Sequence, residues 1–262
     1  MVYIDDNTKE KTEKLKLDSI YFLINFDNVL TDSNSCDTWS VITKNIKLKK
    51  RFEKKLMDIN NKFVLAELDN STELEDRNES LKHLWRQKIY LFRELELNDK
   101  KIMKFMSKQD SLRIRDGAKE FLKFTYENDI PVIIFSDGIT EVILDFLDYN
   151  KCNYDNIHVV SNKLFYDSQS MQNDVVCSIN KNELLICDNI KNDIEDRKFS
   201  ILLASTINDI NILSKEKLND SIKIAFLDKF INENFDTFLN YFNIICTHNA
   251  SLDIILKQLK NL

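Results

Sequence analysis

Short apolar runs alternate along the chain with segments whose apolar residues recur at helical spacing. The runs have the length and composition of buried strands, and they lie at residues 20–24, 132–135, 157–160, 184–187, 222–226 and 244–246. Helical spacing is found between them, for example at 140–149, and again near the end at 252–259. Strands that alternate with helices predict an α/β fold, with a parallel sheet covered by helices on both faces.

The pattern changes between the first two of these runs. Residues 32–111 consist mostly of charged segments with apolar residues at helical spacing. We predict a mostly helical cap here, inserted after the first strand, with residues 17–31 and 112–262 forming the core. Residues 1–16 are polar and charged, and we expect them to be a mobile tail.

Composition excludes several classes of function. Two glycines in 262 residues leave no room for glycine-rich phosphate loops of the Walker or dinucleotide-binding type. The net charge of −6 gives no general attraction to nucleic acid, and no apolar run reaches the roughly 18 residues that span a membrane. The five cysteines form no CxxC pair or disulfide pattern, so we expect reduced thiols, a cytoplasmic location and no membrane partner.

Polar side chains follow three of the apolar runs at the positions where strands of such a sheet end. Ligands of open α/β sheets bind at the carboxyl ends of the strands. Carboxylates and hydroxyls gathered there are the groups that a magnesium and phosphate site requires. Asp and Asn also end strands and begin turns where nothing binds, which is the alternative interpretation. The candidates at this edge are Asn25, Asp27, Ser136, Gly138, Asp188 and Asp193.

The order of these motifs resembles the haloacid dehalogenase-like phosphatases, and more narrowly the cytosolic pyrimidine 5′-nucleotidases. Residues 130–139 read IPVIIFSDGI, where that family reads like IPVxIFSAGI, and residues 159–162 match its VVSN segment. The likeness extends over about residues 18–262. It implies a Rossmann-like parallel sheet with a helical cap, Mg²⁺ as the cofactor and a nucleoside monophosphate as the ligand.

This sequence departs from the family pattern at positions that carry out the family's chemistry. The family attacks phosphate with the first Asp of an Asp-x-Asp loop and uses the second as general acid and base, and these positions hold Asn25 and Asp27. A carboxamide is a far poorer nucleophile than a carboxylate, and it removes one negative charge from the magnesium site. Asp137 stands where the family has a small residue, and a carboxylate that faces the site would repel phosphate.

The resemblance also implies the phosphate-binding and base-binding residues. Ser136 and Gly138 match the phosphate-binding loop. The phosphate-neutralising lysine falls on Lys163 or Lys181, and we favour Lys181. Trp85 is the candidate for stacking on the nucleotide base, with a place in the core of the cap as its alternative.

The metal loop of the family reads like GDSxGD. Residues 187–193 read CDNIKND, in which Asp188 matches the first carboxylate and either Asn192 or Asp193 the second. We therefore expect Asp27, Asp188 and Asp193 to be the magnesium ligands.

Three functions are compatible with these residues. The first is a 5′-nucleotidase-like protein whose hydrolysis is impaired by Asn25 and which is kept for binding a nucleotide or a macromolecular partner. The alternative is an active magnesium-dependent 5′-nucleotidase that hydrolyses nucleoside monophosphates. The third is a regulatory or structural subunit of a larger assembly. In that case the charged cap, including the basic run at 46–55, would contact protein or RNA, although a solvated helix face also explains this run.

Overall fold

The fold is built around a mostly parallel sheet. A computed structural model describes residues 2–5, 8–68, 73–106, 112–165, 175–177, 180–182 and 185–262. In these residues the sheet has seven strands in the order β1-β7-β6-β5-β2-β3-β4. The strands are β1 Val2–Ile4, β2 Ile20–Asn25, β3 Val132–Ile139, β4 Ile157–Asn162, β5 Phe199–Ala204, β6 Ile222–Leu227 and β7 Ile244–Thr247. Strands β2 to β7 are parallel and β1 pairs antiparallel with β7, so the predicted α/β fold is confirmed.

Helices lie on both faces of the sheet. The described helices are α1 Thr8–Thr12, α2 Thr38–Asn45, α3 Lys50–Leu68, α4 Leu74–Arg93, α5 Asp99–Met106, α6 Ala118–Glu127, α7 Thr140–Tyr149, α8 Asp188–Ile194, α9 Ile231–Leu239 and α10 Asp253–Leu259. Alternate residues of β2 join two different apolar clusters: Phe22 and Ile24 belong to one, and Tyr21 and Leu23 to the other. Burial on both faces explains why this strand is a continuous apolar run.

The cap consists of α2 to α5, which follow β2 in sequence and precede β3. Trp39 of α2 packs against Phe92 of α4, with ring centroids 4.9 Å apart. The same tryptophan donates a hydrogen bond from Nε1 to the backbone oxygen of Asp137 in β3, at 3.2 Å. Helix α2 therefore connects the cap to the carboxyl end of the sheet. None of the described helices is both long and apolar enough to cross a membrane.

Three observed elements differ from the sequence prediction, and one of them is helix α1, which lies inside the predicted tail. Residues 2–4 form an edge strand beside β7, whereas the prediction was a mobile tail over 1–16, so the tail prediction is wrong for these residues. Strand β5 was not among the predicted strands, although residues 201–204 are four consecutive apolar residues. The buried hydroxyl of Ser200 forms a hydrogen bond with that of Ser221, which makes a polar residue tolerable inside the sheet.

A strand was predicted at 184–187 in place of β5. Within the described residues, 185–187 lie before helix α8 and outside the sheet; Leu184 itself is outside the described part of the chain. The strand that pairs with β2 on this side is β5, in register from Ile20 opposite Phe199 to Ile24 opposite Leu203. The loop that reaches the centre of the sheet is therefore the one after β5.

Candidate active site

Strand β2 ends in the middle of the sheet at Asn25, where the ends of three strands meet. Asn25 is in register with Phe135 of β3, and Ile24 is in register with Leu203 of β5. Parallel strands end at the same edge, so the loops after β2, β3 and β5 converge on Asn25. The side chain that enters this convergence is almost inaccessible, since Asn25 is only 5% exposed.

The carboxamide of Asn25 has hydrogen-bond partners on both of its sides. Its Oδ1 accepts from Nζ of Lys181 at 3.0 Å. Its Nδ2 donates to the backbone oxygen of Asp27 at 3.1 Å and to Oγ of Ser205 at 2.8 Å. An ammonium group only donates and a carbonyl oxygen only accepts, so these partners determine which way the amide faces.

Lys181 is the buried positive charge of this cluster. Its ammonium group connects Asn25 with Oδ1 of Asp209, at 3.3 Å from the latter. Burial by itself lowers the pKa of Lys181, but neighbouring carboxylates outweigh burial and raise this pKa overall; they belong to Asp137, Asp209 and Asp27. The ammonium group therefore stays protonated. Of the two lysine candidates, the structure brings Lys181 into the site and leaves Lys163 exposed.

The loop after β5 contains the residues that match the family's metal loop. It reads ASTIND from Ala204 to Asp209, against GDSxGD in the family. Asp209 thus retains the second Asp of that pattern, and Ser205 stands in place of the first. The buried carboxylate of Asp209 accepts from the backbone N–H groups of Ser205 at 3.0 Å and Thr206 at 2.9 Å. Asp209 therefore holds its own loop in shape as well as contacting Lys181.

The structure does not bring Asp188 and Asp193 to this cluster. Asp188 begins α8, and its side chain is 94% exposed and lies 3.1 Å from Nζ of Lys191. Oδ2 of Asp193 lies 2.9 Å from Nε2 of His158, at the amino end of β4 and therefore at the opposite edge of the sheet. The prediction that these residues are metal ligands is wrong, because the strand assigned before them is not in the sheet.

Ser205 and Asp209 are not among the site residues predicted from the sequence. The signal that would have found them is the second Asp of the GDSxGD pattern, here Asn208-Asp209, five residues after the end of the apolar run 199–204. That signal is weak, because Asp209 is the single fixed position of the GDSxGD pattern at which this loop keeps the family residue.

Asp27 lies two residues beyond the end of β2. Oδ1 of its side chain is buried and has no hydrogen-bond partner within the described residues. Burial raises the pKa of Asp27 well above its ordinary value, and the carboxylates of Asp137 and Asp37 raise it further, while Lys181 acts in the opposite direction. The carboxyl group of Asp27 therefore keeps its proton to a higher pH than an exposed Asp, which suits a general acid.

Strand β3 brings Ser136 and Gly138 to the same edge. Oγ of the buried Ser136 accepts from the backbone N–H of Gly138 at 3.0 Å, which leaves the hydroxyl hydrogen to donate elsewhere. A Cβ at Gly138 would lie 2.4 Å from Oγ1 of Thr38, the first residue of α2. That same Oγ1 accepts from the backbone N–H of Ile139 at 3.0 Å. The glycine therefore allows the cap to close onto this loop.

Trp85 belongs to an aromatic cluster of the cap that adjoins the site. Its ring centroid lies 5.8 Å from that of Trp39 and 5.2 Å from that of Phe63. Nζ of Lys88 lies 4.6 Å from the Trp39 ring and 4.7 Å from the Trp85 ring, so a cation occupies the space between the two indoles. The packing matches the alternative interpretation of Trp85, and stacking on a base stays a prediction.

A buried arginine that the sequence analysis does not identify positions the chain after Asp27. Nη2 of Arg115 lies 2.7 Å from Oδ2 of Asp228 and 2.6 Å from the backbone oxygen of Asn28. Its Nε donates to the backbone oxygen of Val29 at 2.9 Å. Since Arg115 is 1% exposed, these contacts are shielded from water and hold the loop that carries Asp27.

The residues of this cluster do not fit a magnesium ion. Magnesium requires several oxygen ligands with available lone pairs in an octahedral arrangement. Oδ1 of Asn25 faces an ammonium group, the carboxylate of Asp209 is engaged on both oxygens, and Ser205 is neutral and accepts from the Asn25 amide. No group of three or more His, Cys, Asp or Glu side chains in the described residues is arranged to hold a metal. The free Oδ1 of Asp27 is a single ligand atom and not a site.

A family model described as pyrimidine 5′-nucleotidase (UMPH-1) matches residues 24–262, which include the whole cluster around Asn25. The chain belongs to the pyrimidine 5′-nucleotidase (UMPH-1) family. The resemblance drawn from the motifs is therefore confirmed.

This chain is similar to curated 5′-nucleotidases at low sequence identity. It is 23% identical over 249 residues to 7-methylguanosine phosphate-specific 5′-nucleotidase A of Xenopus laevis, covering 91% of this chain and 86% of the relative. It is 26% identical over 170 residues to the 7-methylguanosine phosphate-specific 5′-nucleotidase of Homo sapiens, covering 61% of this chain and 56% of the relative.

Solved structures show the same fold. Cytosolic 5′-nucleotidase IIIB bound to cytidine superposes with a TM-score of 0.81 at 17% identity, over 99% of this chain and 92% of that one. Phosphoserine phosphatase in its apo form superposes with a TM-score of 0.52 at 20% identity, over 91% of this chain and 98% of that one. The core of this pyrimidine 5′-nucleotidase family member thus has the haloacid dehalogenase-like fold with a helical cap.

Proposed function

We propose that this member of the pyrimidine 5′-nucleotidase family binds a nucleoside monophosphate and hydrolyses its phosphate ester far more slowly than an enzyme with an Asp nucleophile. The observation that carries the proposal is the bonding of Asn25. The oxygen that would have to attack phosphorus accepts a hydrogen bond from Lys181, and the amide nitrogen is held by Asp27 and Ser205. Loss of a covalent nucleophile costs on the order of 10⁴-fold or more in rate.

Three residues at this edge support the binding part of the proposal. Ser136 has a hydroxyl hydrogen to donate, and Lys181 provides a positive charge where it contacts Asn25 at the end of β2. Trp85 is half-buried and packs against the buried Trp39, so it is the indole of this cluster that a base would contact. The ligand class follows from the relatives, whose names describe 5′-nucleotidases and one of which was solved with cytidine. The cytosolic relatives also support a cytoplasmic location.

One observation favours slow 5′-nucleotidase activity as the second candidate. Asp27 retains an unpartnered carboxyl oxygen and a raised pKa, so it can deliver a proton to a leaving group. Water would then have to act as the nucleophile. A contact of the charged cap with protein or RNA stays a prediction, and Lys55 of the basic run pairs with Glu94 at 2.9 Å on an exposed helix face.

Both tryptophans of the chain lie in the cluster beside the site, so intrinsic fluorescence reports on ligand binding there. We would titrate UMP, CMP and AMP against tryptophan emission, and measure phosphate release from the same compounds with Mg²⁺. Wild type is expected to bind at least one nucleotide and to release phosphate no faster than Asn25→Ala. Turnover that Asp27→Asn abolishes would establish the second candidate. Absence of any fluorescence response to all three nucleotides would overturn the proposal.

A further inference from the structure

Two loops that match the family's metal site meet at the amide of Asn25: the loop after β2 and the loop after β5. The family pattern connects magnesium with the first Asp of the Asp-x-Asp loop and with the GDSxGD loop, whose first Asp is replaced here by Ser205. Both replacements exchange a carboxylate for a neutral group, so two negative charges are missing from the place where a divalent cation would be bound. Without that cation, the ends of β2 and β5 need another group to join them.

We infer that the carboxamide nitrogen of Asn25 substitutes for the cation. Nδ2 donates to the backbone oxygen of Asp27 at 3.1 Å and to Oγ of Ser205 at 2.8 Å. These two acceptors come from different strand ends, and one N–H group faces each of them. A nitrogen that presents two hydrogens to two oxygens performs the bridging task of a metal ion that presents positive charge to the same oxygens.

The other side of the amide completes the substitution. Oδ1 of Asn25 accepts from Lys181, and the same ammonium group lies 3.3 Å from Asp209. The charge of Asp209 is therefore balanced by Lys181. Without the two carboxylates, the side chains of Asn25, Lys181 and Asp209 bond to one another, whereas Oδ1 of Asp27 has no hydrogen-bond partner in the described residues. Asn25 and Ser205 thus form a matched pair, and the site keeps its shape without a divalent cation.

An Asn25→Asp variant tests the inference, because it replaces the two N–H donors by an oxygen. That oxygen would face the backbone oxygen of Asp27, two acceptors without a hydrogen between them, and a divalent cation satisfies both. The melting temperature is measured for each protein in EDTA and in millimolar Mg²⁺ or Mn²⁺, without nucleotide. Wild type is expected to melt at the same temperature in all three buffers. Asn25→Asp is expected to gain roughly 5 °C when the metal is about 100-fold above its Kd, and Asn25→Asp with Ser205→Asp is expected to gain more.

The control is Asn208→Asp, which adds a carboxylate at an exposed position of the same loop and leaves the amide of Asn25 in place. It is expected to respond to metal as weakly as wild type. A metal response of wild type or of Asn208→Asp equal to that of Asn25→Asp would overturn the inference, as would the lack of any response in the double variant. If Asn25→Asp does not fold, calorimetric titration of wild type with Mn²⁺ still decides, because tight binding there contradicts the substitution. None of these measurements depends on nucleotide binding, so the proposed function can fail separately.

Discussion

Nζ of Lys181 lies 3.0 Å from Oδ1 of Asn25, although 156 residues separate them in sequence. With a carboxylate at position 25 this contact would be an ion pair. With the amide it is a hydrogen bond from a charged donor to a neutral acceptor, and the positive charge of Lys181 is balanced by Asp209 instead. The residue at the end of β2 therefore determines how the positive charge of Lys181 is balanced.

The pair of Lys181 and Asp209 is expected to be important for stability. Lys181→Met would leave the Asp209 carboxylate buried beside two backbone N–H groups but without its cation. Removing one partner of a buried ion pair costs about 3–5 kcal/mol of unfolding free energy. Urea denaturation at neutral pH measures this, with the exposed Lys163→Met as the matched control, for which a change below about 0.5 kcal/mol is expected. Equal losses in the two variants would contradict the prediction.

Arg115 is expected to be the strongest single contributor to the loop after Asp27. Arg115→Met would keep much of the volume but leave Asp228 buried and unpaired, along with backbone oxygens that now accept hydrogen bonds. We expect a loss of about 3–5 kcal/mol by chemical denaturation. Arg113→Met changes an exposed arginine two residues away and should be close to neutral. A small effect at Arg115 would show that the loop is held by other contacts.

Gly138→Ala is expected to separate the cap from the loop after β3. The new Cβ would lie 2.4 Å from Oγ1 of Thr38 and 2.9 Å from Oγ of Ser136, so the backbone must shift. Such overpacking costs about 1–3 kcal/mol. A double-mutant cycle with Thr38→Ala locates the clash, because the alanine removes Oγ1. The cost of Gly138→Ala should be smaller in that background, and an equal cost in both backgrounds would place the strain elsewhere.

Asp27 is expected to make stability depend on pH. A carboxyl group whose folded pKa is raised binds its proton more tightly in the folded state than in the unfolded chain, where its pKa is about 3.9. Stability should then fall as the pH rises from the unfolded pKa through the raised folded pKa, and the loss is complete above the latter. The charged groups that face Asp27 are Asp137, Asp37, Lys181 and Asp209.

The Asp27→Asn variant has no carboxyl group at this position and therefore lacks this contribution to the pH dependence of stability. The variant should be more stable than wild type at neutral pH, and the difference should shrink below about pH 4, where Asp27 is protonated in both states. Melting temperatures across this range measure the difference. Asp188→Asn, at a side chain that is 94% exposed, should follow the wild-type curve. A gap between Asp27→Asn and wild type that stays constant with pH would show that packing, and not ionisation, causes it.

The sequence by itself determined the central part of the fold and half of the site. The apolar runs at β2, β3, β4, β6 and β7 are local signals, and β2 is apolar from Ile20 to Ile24 because both of its faces are buried. The rule that ligands bind beyond the carboxyl ends of strands then led to Asn25, Asp27, Ser136 and Gly138, which the structure brings to one edge. The motifs around them were sufficient to identify the family.

Tertiary structure decided which other carboxylates belong to the site. The apolar residues 201–204 do not by themselves show which strand pairs with β2, and the buried hydroxyl of Ser200 finds its partner in Ser221, just before β6. Strand β1 exists only through its pairing with β7, more than 200 residues away. Because β5 lies beside β2, the loop after β5 brings Asp209 into the site, whereas Asp188 and Asp193 lie outside it. Pairing between distant strands and satisfaction of buried polar groups are properties of the folded chain, and local pattern does not contain them.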